Sequence, residues 1–338
     1  MANLRNIKDR ISSIKNTQKI TRAMKMVAAA KVKKAENMVK MSRPFTYELY
    51  RMFIKVYDAI GKNKFEEIKT KNAIDNYPAL LNARNIDTVA LVVISSNKGL
   101  AGAYSANIVR FTLNRIKELN AENKKVVLYL VGQKTVAPLK NAKRNLNFDI
   151  KEIYTGILDD LSVSSAKIVA EDLAYDYVED RIDKIELITT RYINTMTYKV
   201  EDWTLLPAII RSDDEMDEIG AKVGAKGGAK VKKFHRDEFD KEHNVNYEHH
   251  VKIDSIMEFL PCSECILQKI VPMYITNIIY QTMLEAQASE LSSRMTAMSA
   301  ATNNAEDMIK TLTVQYNKVR QEGITQELTE VIGASMGK

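Results

Sequence analysis

The chain's six prolines stand at positions 44, 78, 138, 207, 261 and 272, so residues 1–43 and 273–338 contain none. Proline disrupts a helix interior but fits its first turn, which leaves both ends free to run as long helices. At the C-terminal end, Leu291, Met295, Met298, Thr302, Ala305, Ile309, Leu312, Tyr316, Val319 and Gly323 follow one another at alternating steps of four and three. That spacing is a coiled-coil seam held for about four and a half heptads. A helix from near Pro272 to Ile332 spans roughly 90 Å at about 1.5 Å per residue. No compact domain of this chain length needs such a helix in its core.

The N-terminal end carries a second seam: Leu4, Ile7, Ile11 and Ile14, then polar Thr17 and Gln18, then Ile20, Met24, Val27 and Ala35. Ala28, Ala29 and Ala30 permit close helix approach, and the polar interruption weakens the pairing while fixing its register. Residues 1–40 hold eleven basic side chains against Asp9 and Glu36, and residues 281–338 hold five basic and seven acidic ones. Weak charge complementarity and a shared period predict that the chain's own ends pair. The connectivity then predicts an antiparallel coiled coil, with the middle of the chain as a globular head at one end of it.

That middle reads as alternating strand and helix. Thr88–Ser95, Val126–Val131 and Lys184–Arg191 are β-branched runs of strand length, with 192–205 as a hairpin partner. Ser105–Asn120, Thr135–Asn145 and Ser162–Asp180 have helical periodicity between them. This order predicts a largely parallel, helix-covered sheet. The fold class is therefore α/β: a long antiparallel coiled coil plus a Rossmann-like α/β domain. The expected divisions are an N-terminal helix over 1–61, the α/β domain over 62–211, an insertion over 212–250, a return segment over 251–271 and the C-terminal helix over 272–338. The insertion is rich in Gly, His and charge and has no core-forming pattern, so it reads as a mobile surface segment.

Candidate chemistry is sparse. The loop Ser96-Asn97-Lys98-Gly99-Leu100-Ala101-Gly102-Ala103 follows the first strand, where α/β proteins often hold phosphate. It matches neither glycine-rich phosphate fingerprint, so a tight strand-to-helix turn is the expectation. Cys262 and Cys265 form one CxxC downstream of His235, His243, His249 and His250. With His249 and His250 they are the weak candidates for a metal, but the adjacent histidines lack the usual half-site spacing. Two incidental reduced thiols in a reducing compartment are expected instead. No catalytic constellation appears, and no cofactor is called for. No apolar run approaches the ~20 residues that span a bilayer. The charge interspersed among Ile7, Ile11 and Ile14 excludes a secretory signal.

The basic arm has two open readings, a solvated face or a surface for acidic protein loops. A basic-region zipper would place its seam after the basic block, whereas here the seam runs through it. An inserting membrane helix needs a wide apolar face, which the pairing has already used.

Both ends resemble the gamma subunits of F-type ATP synthases. Residues 1–36 and 288–334 carry the resemblance, most specifically in the strings NTQKIT, AMKMVAAAK, NKVRQ and ITQELTE. SSNKGLAGAYSANI and Met273–Met295 are similar as well, so that the likeness covers about two thirds of the chain and stops at 212–250. The resemblance implies a single-copy rotor shaft inside a ring of alpha and beta subunits, with its head on epsilon and on the c-ring. Proton- or sodium-driven rotation would drive ATP synthesis at the beta sites, and hydrolysis would reverse it. The chain itself would be non-catalytic and hold no nucleotide. Rotor–stator contacts would fall on Met24 and Lys25 of the first helix and on Arg320, Gln321, Thr325 and Glu327 of the last. Lys25 departs from relatives with an acid there, and Leu260 stands where the family commonly has an acid before proline. Because the signature begins at residue 2, no signal or transit peptide is expected. The implied place is the cytoplasmic face of the cell membrane, as a peripheral protein.

Overall fold

A computed structural model describes residues 2–60, 72–82, 84–208 and 263–336. Helix α1 (Ala2–Ile60) is followed by a 3-10 turn (Ala73–Asp75) and the short α2 (Tyr77–Leu81). Then come β1 (Thr88–Ile94), α3 (Tyr104–Ala121), β2 (Lys125–Val131), α4 (Val136–Ala142), β3 (Asp149–Tyr154), α5 (Val163–Val178), β4 (Lys184–Tyr192) and β5 (Tyr198–Leu206). The last helix, which we call α6, runs Ser263–Met336.

The terminal helices hold 59 and 74 residues, about 90 and about 110 Å at ~1.5 Å per residue. Both pass through a proline. Pro44 removes the partner of the Lys40 carbonyl, but both residues are exposed, so water can satisfy that oxygen. Helix α6 starts at Ser263 rather than near Pro272 and carries that proline inside it. Burial of Leu267, Val271 and Ile275 around it, each 0% exposed, offsets the missing hydrogen bond.

The residues form two compact units. The larger comprises Lys33–Gly99 and Ala103–Glu290 and contains a five-stranded sheet of order β3-β2-β1-β4-β5. Pairings β1–β2, β1–β4 and β2–β3 are parallel, and β4–β5 is the antiparallel hairpin. Asn194 closes the hairpin turn, its Oδ1 accepting from the Met196 and Thr197 amides at 2.8 Å each. Strand β3 was not anticipated, because Asp149, Lys151 and Glu152 on this edge strand break the apolar run that marks interior strands. One core joins Ala90, Val92 and Ile94 of β1 to Leu173 and Tyr177 of α5, Phe53 of α1 and Ile275 and Ile279 of α6. Within this unit α1 and α6 run antiparallel, since Arg43 meets Glu285, Thr46 meets Asn277, and Phe53 stacks on Tyr274 at 5.0 Å.

The smaller unit comprises Met1–Val32, Leu100–Gly102 and Leu291–Lys338. Every seam position expected on α6, from Leu291 to Gly323, is buried or half-buried. On α1 the expected phase holds from Leu4 through Gln18 and departs from the expected one beyond it. The protected positions are Leu4, Ile7, Ile11, Ile14, Gln18, Thr21, Lys25, Ala28 and Val32, an unbroken alternation of three and four. Ile20, Met24 and Val27 are instead 55%, 40% and 57% exposed. The heptad period holds through polar residues, and Ile20, Met24 and Val27 fall off it. The hydroxyls of Thr21 and Thr302 satisfy each other at 2.9 Å. Ala28, 2% exposed, provides the close approach expected of the alanine run. In the same unit Ser293 Oγ donates to the Ala101 carbonyl at 2.7 Å. Gly102 has φ +56°, and a Cβ there would stand 3.5 Å from that of Ala297. Glycine reaches this left-handed conformation without the steric cost of a side chain.

Candidate functional site

In an open α/β sheet the ligand crevice lies at the carboxyl ends of the strands, where the strand order reverses. Here that point falls between β1 and β4. It is filled by protein. Tyr104, 0% exposed, places its hydroxyl 3.0 Å from Thr190 Oγ1 and donates to the Ala286 carbonyl of α6 at 3.0 Å. Burial pushes its phenol pKa well up, so it stays neutral and can donate. Thr189 Oγ1 donates to the Thr282 carbonyl of the same helix at 3.2 Å.

The loop after β1 is tied down in turn. Ser95 and Thr135 hydroxyls lie 3.1 Å apart, and those of Ser96 and Ser105 lie 3.0 Å apart. Lys98 pairs with Asp159 at 3.0 Å, and Asn97 Nδ2 donates to the same carboxylate at 3.0 Å. The cation that a phosphate cradle would use already has an anion. Gly132, φ +108°, lies so close that a Cβ would come within 2.9 Å of Ser95 Oγ and 3.0 Å of the Ser96 backbone. These contacts fit a tight turn rather than a phosphate cradle.

A buried ion pair fastens α6 to α1 and β4 in the larger unit. Arg43 Nε and a terminal guanidinium nitrogen donate to the two oxygens of Glu285 at 2.7 and 2.8 Å. The same terminal nitrogen donates to the Tyr192 carbonyl at 2.7 Å, while the Tyr192 amide donates back to Glu285 at 2.8 Å. Gln281 Nε2 adds a bond to Glu285 at 2.9 Å. Sequence reasoning missed this cluster. Its signal was a single acid, Glu285, within the mostly apolar run Ile275–Ala286.

The outward faces of the long helices carry charge and exposed apolar residues. Ten of the eleven basic residues in the first forty are exposed, and Lys25 is half-buried on the seam. Among the described residues only Lys33 and Lys40 of that set make ion pairs, both with Glu36. The Lys40 hydrogen bond holds the Glu36 carboxyl below its ordinary range. On α6, Ile324, Leu328, Val331 and Ile332 are each at least half exposed.

A family model described as ATP synthase matches residues 3–336. Similar proteins include the ATP synthase gamma chain of Gloeobacter violaceus, 34% identical over 336 residues and covering 99% of each chain. The chain belongs to the ATP synthase gamma family. The gamma chain of Gloeothece citriformis is 36% identical over 335 residues, again with 99% of each chain covered. Among solved structures, a chain of the Euglena gracilis mitochondrial ATP synthase (OSCP/F1/c-ring) has the same fold. Its TM-score is 0.61 at 16% identity, over 99% of this chain and 94% of that one. The gamma matches extend across 212–250, where the motif resemblance was expected to stop.

The residues expected from the gamma resemblance are placed as follows. Met24 is on the outside of α1, and Lys25 faces its seam. Arg320, Gln321 and Thr325 are exposed on α6, with Thr325 Oγ1 donating to the Gln321 carbonyl one turn back at 2.9 Å. The side chain of Glu327 lies outside the described residues. Among the described residues no hydrogen bond or ion pair joins Met24 or Lys25 to the α6 positions. The reduced-thiol expectation is corrected at Cys265, which is disulfide-bonded. A bonded sulfur is no thiolate for a metal. Cys262, His249 and His250, like His235, His243 and the insertion 212–250, lie outside the described residues. No cluster of three or more potential metal ligands occurs among the described residues.

Proposed function

We propose that this chain is the central rotor shaft of an F-type ATP synthase. It couples proton- or sodium-driven rotation of the c-ring to ATP synthesis at the beta-subunit sites, and it runs in reverse during hydrolysis. The observation that carries the proposal is the pair of helices, 59 and 74 residues long, whose stretches in the smaller unit carry heptad seams, with ten exposed cations on the first helix.

A coiled coil with a cationic side is asymmetric about its own axis. Each surrounding beta subunit therefore meets a different face at any moment, and turning the shaft moves each site through the same series of environments. Arg320, Gln321 and Thr325, together with Met24, are the exposed positions through which that contact runs, with Glu327 and the half-buried Lys25 beside them. Acidic stator loops are the complement of the cationic face. With the sheet crevice closed by Tyr104 and α6, the shaft contributes shape and charge, and chemistry stays with the beta subunits. The partners are alpha, beta, epsilon and the c-ring, with one copy of this chain per complex. No described helix is long and apolar enough to cross a membrane. Peripheral attachment at the cytoplasmic membrane face fits that observation.

Native mass spectrometry of the complex purified through this chain tests the proposal. One copy with three alpha and three beta subunits is expected, and the isolated chain should hydrolyse no ATP. Equal copies of all three would refute it.

A further inference from the structure

Helix α3 buries Ile108, Thr112 and Ile116 on one side, each 0% exposed. Its other side is not uniformly polar, because Val109 and Leu113 lie half-buried there, facing a groove toward α4. The groove encloses about 430 Å³, with Val109, Leu113 and Pro138 among its walls and Arg110, Lys117 and Lys134 around them. No acid lines it. The nearest acid along α3, Glu118, is held by Arg115 at 2.9 Å. Lys117 and Lys134 make no ion pair among the described residues, and Arg110 donates only to neutral Asn107 Oδ1, at 3.0 Å.

We propose that the α3–α4 groove is a docking site for a short acidic segment of a protein partner. In this arrangement one apolar side chain rests on Val109, Leu113 and Pro138, and flanking carboxylates pair with Arg110, Lys117 and Lys134. Three cations around one small apolar floor raise the local positive potential, which an anionic occupant relieves. The guanidinium fork of Arg110 suits the two oxygens of a carboxylate. The floor is too narrow for a bilayer, which needs a wide apolar face. Duplex nucleic acid is matched by a long cationic stripe without an apolar floor. The site is separate from the helical faces assigned to coupling, and the inference does not depend on that role.

The test places a photo-crosslinking amino acid at Asn114, which lines the groove and is exposed. A control carries it at Val163 on α5, 57% exposed. The full chain is expressed in its own cells, irradiated there and purified through a tag, and the crosslinked peptides are sequenced. The expected product at Asn114, absent at Val163, is one peptide of net negative charge with an apolar residue among its acids. Its yield should fall at least tenfold in the Lys117→Glu/Lys134→Glu variant and persist in Lys117→Arg/Lys134→Arg, with circular dichroism unchanged in both. A crosslink to lipid, to nucleic acid, to this chain itself or to a neutral or basic peptide would overturn the proposal. So would a yield no higher than at Val163, or one that the charge reversal leaves intact. Native mass spectrometry of the same preparation reports on the coupling role independently.

Discussion

Replacing Arg43 with Met removes the cation from a carboxylate, Glu285, whose side chain is 5% exposed. Glu285 would keep the Tyr192 amide and Gln281 as donors but lose its only counter-charge among the described residues, and the Tyr192 carbonyl would lose its bond from Arg43. Removing one partner of a buried pair costs about 3–5 kcal/mol. The two surviving donors place the expected value near the lower end, about 3 kcal/mol. The chain has one tryptophan, Trp203, on β5 of the same unit, so its fluorescence during urea unfolding reports on the affected structure. With a slope of about 2 kcal/mol per molar urea, the midpoint should fall by about 1.5 M. The double variant Arg43→Met/Glu285→Met buries no charge and should be more stable than the summed single losses by at least about 1 kcal/mol. Single variants within about 1 kcal/mol of the parent, or strictly additive losses, would refute the assignment of this pair as the link among α1, β4 and α6.

Other perturbations follow from the same contacts. Tyr104→Phe removes the hydroxyl's bond to the Ala286 carbonyl, which keeps its own helical partner, and its contact with Thr190, and should cost about 0.5–1.5 kcal/mol in the same urea assay; no loss would mean that the hydroxyl is not holding α6 over the crevice. Lys25→Leu puts an apolar side chain on the seam and should raise stability by about 1 kcal/mol, while Met24→Leu should stay within about 0.5 kcal/mol of the parent. Thermal unfolding followed by circular dichroism separates the two, and the opposite ranking would restore a seam through Ile20 and Met24. Burial pushes the Glu186 carboxyl up, but hydrogen bonds from Arg115 and Lys184 outweigh it and hold the pKa below the ordinary 4.5. Its stabilising contribution is therefore present above that value and lost as pH falls through the folded-state pKa. Arg115→Met should move the acid-unfolding midpoint to higher pH, as read by Trp203 fluorescence, and an unmoved midpoint would contradict the assignment.

The C-terminal seam was legible because its apolar residues and its period coincide. On α1 the two separate. Gln18, Thr21 and Lys25 hold the phase, and the more apolar Ile20, Met24 and Val27 lie outside it, so hydrophobicity alone picked the wrong stripe. Interior strands β1, β2 and β4 were readable as β-branched runs, whereas β3 was not, since an edge strand tolerates Asp149, Lys151 and Glu152. The Arg43–Glu285 pair joins residues 242 apart, and no local pattern encodes such a contact. Filling of the crevice by Tyr104 and α6 was likewise invisible, because it depends on where a distant helix packs. The exposed positions Arg320, Gln321 and Thr325 came from family resemblance, as nothing in their spacing marks them apart from other polar residues of a long helix.

Rotation itself is the most direct test of the coupling role. A reporter bead on a cysteine at Met196, 82% exposed in the β4–β5 turn, would be observed in single immobilised complexes supplied with ATP. The proposal predicts sustained rotation in one direction, at a rate that follows ATP concentration and stops with hydrolysis. Continued hydrolysis while the bead on this chain stays still would contradict it.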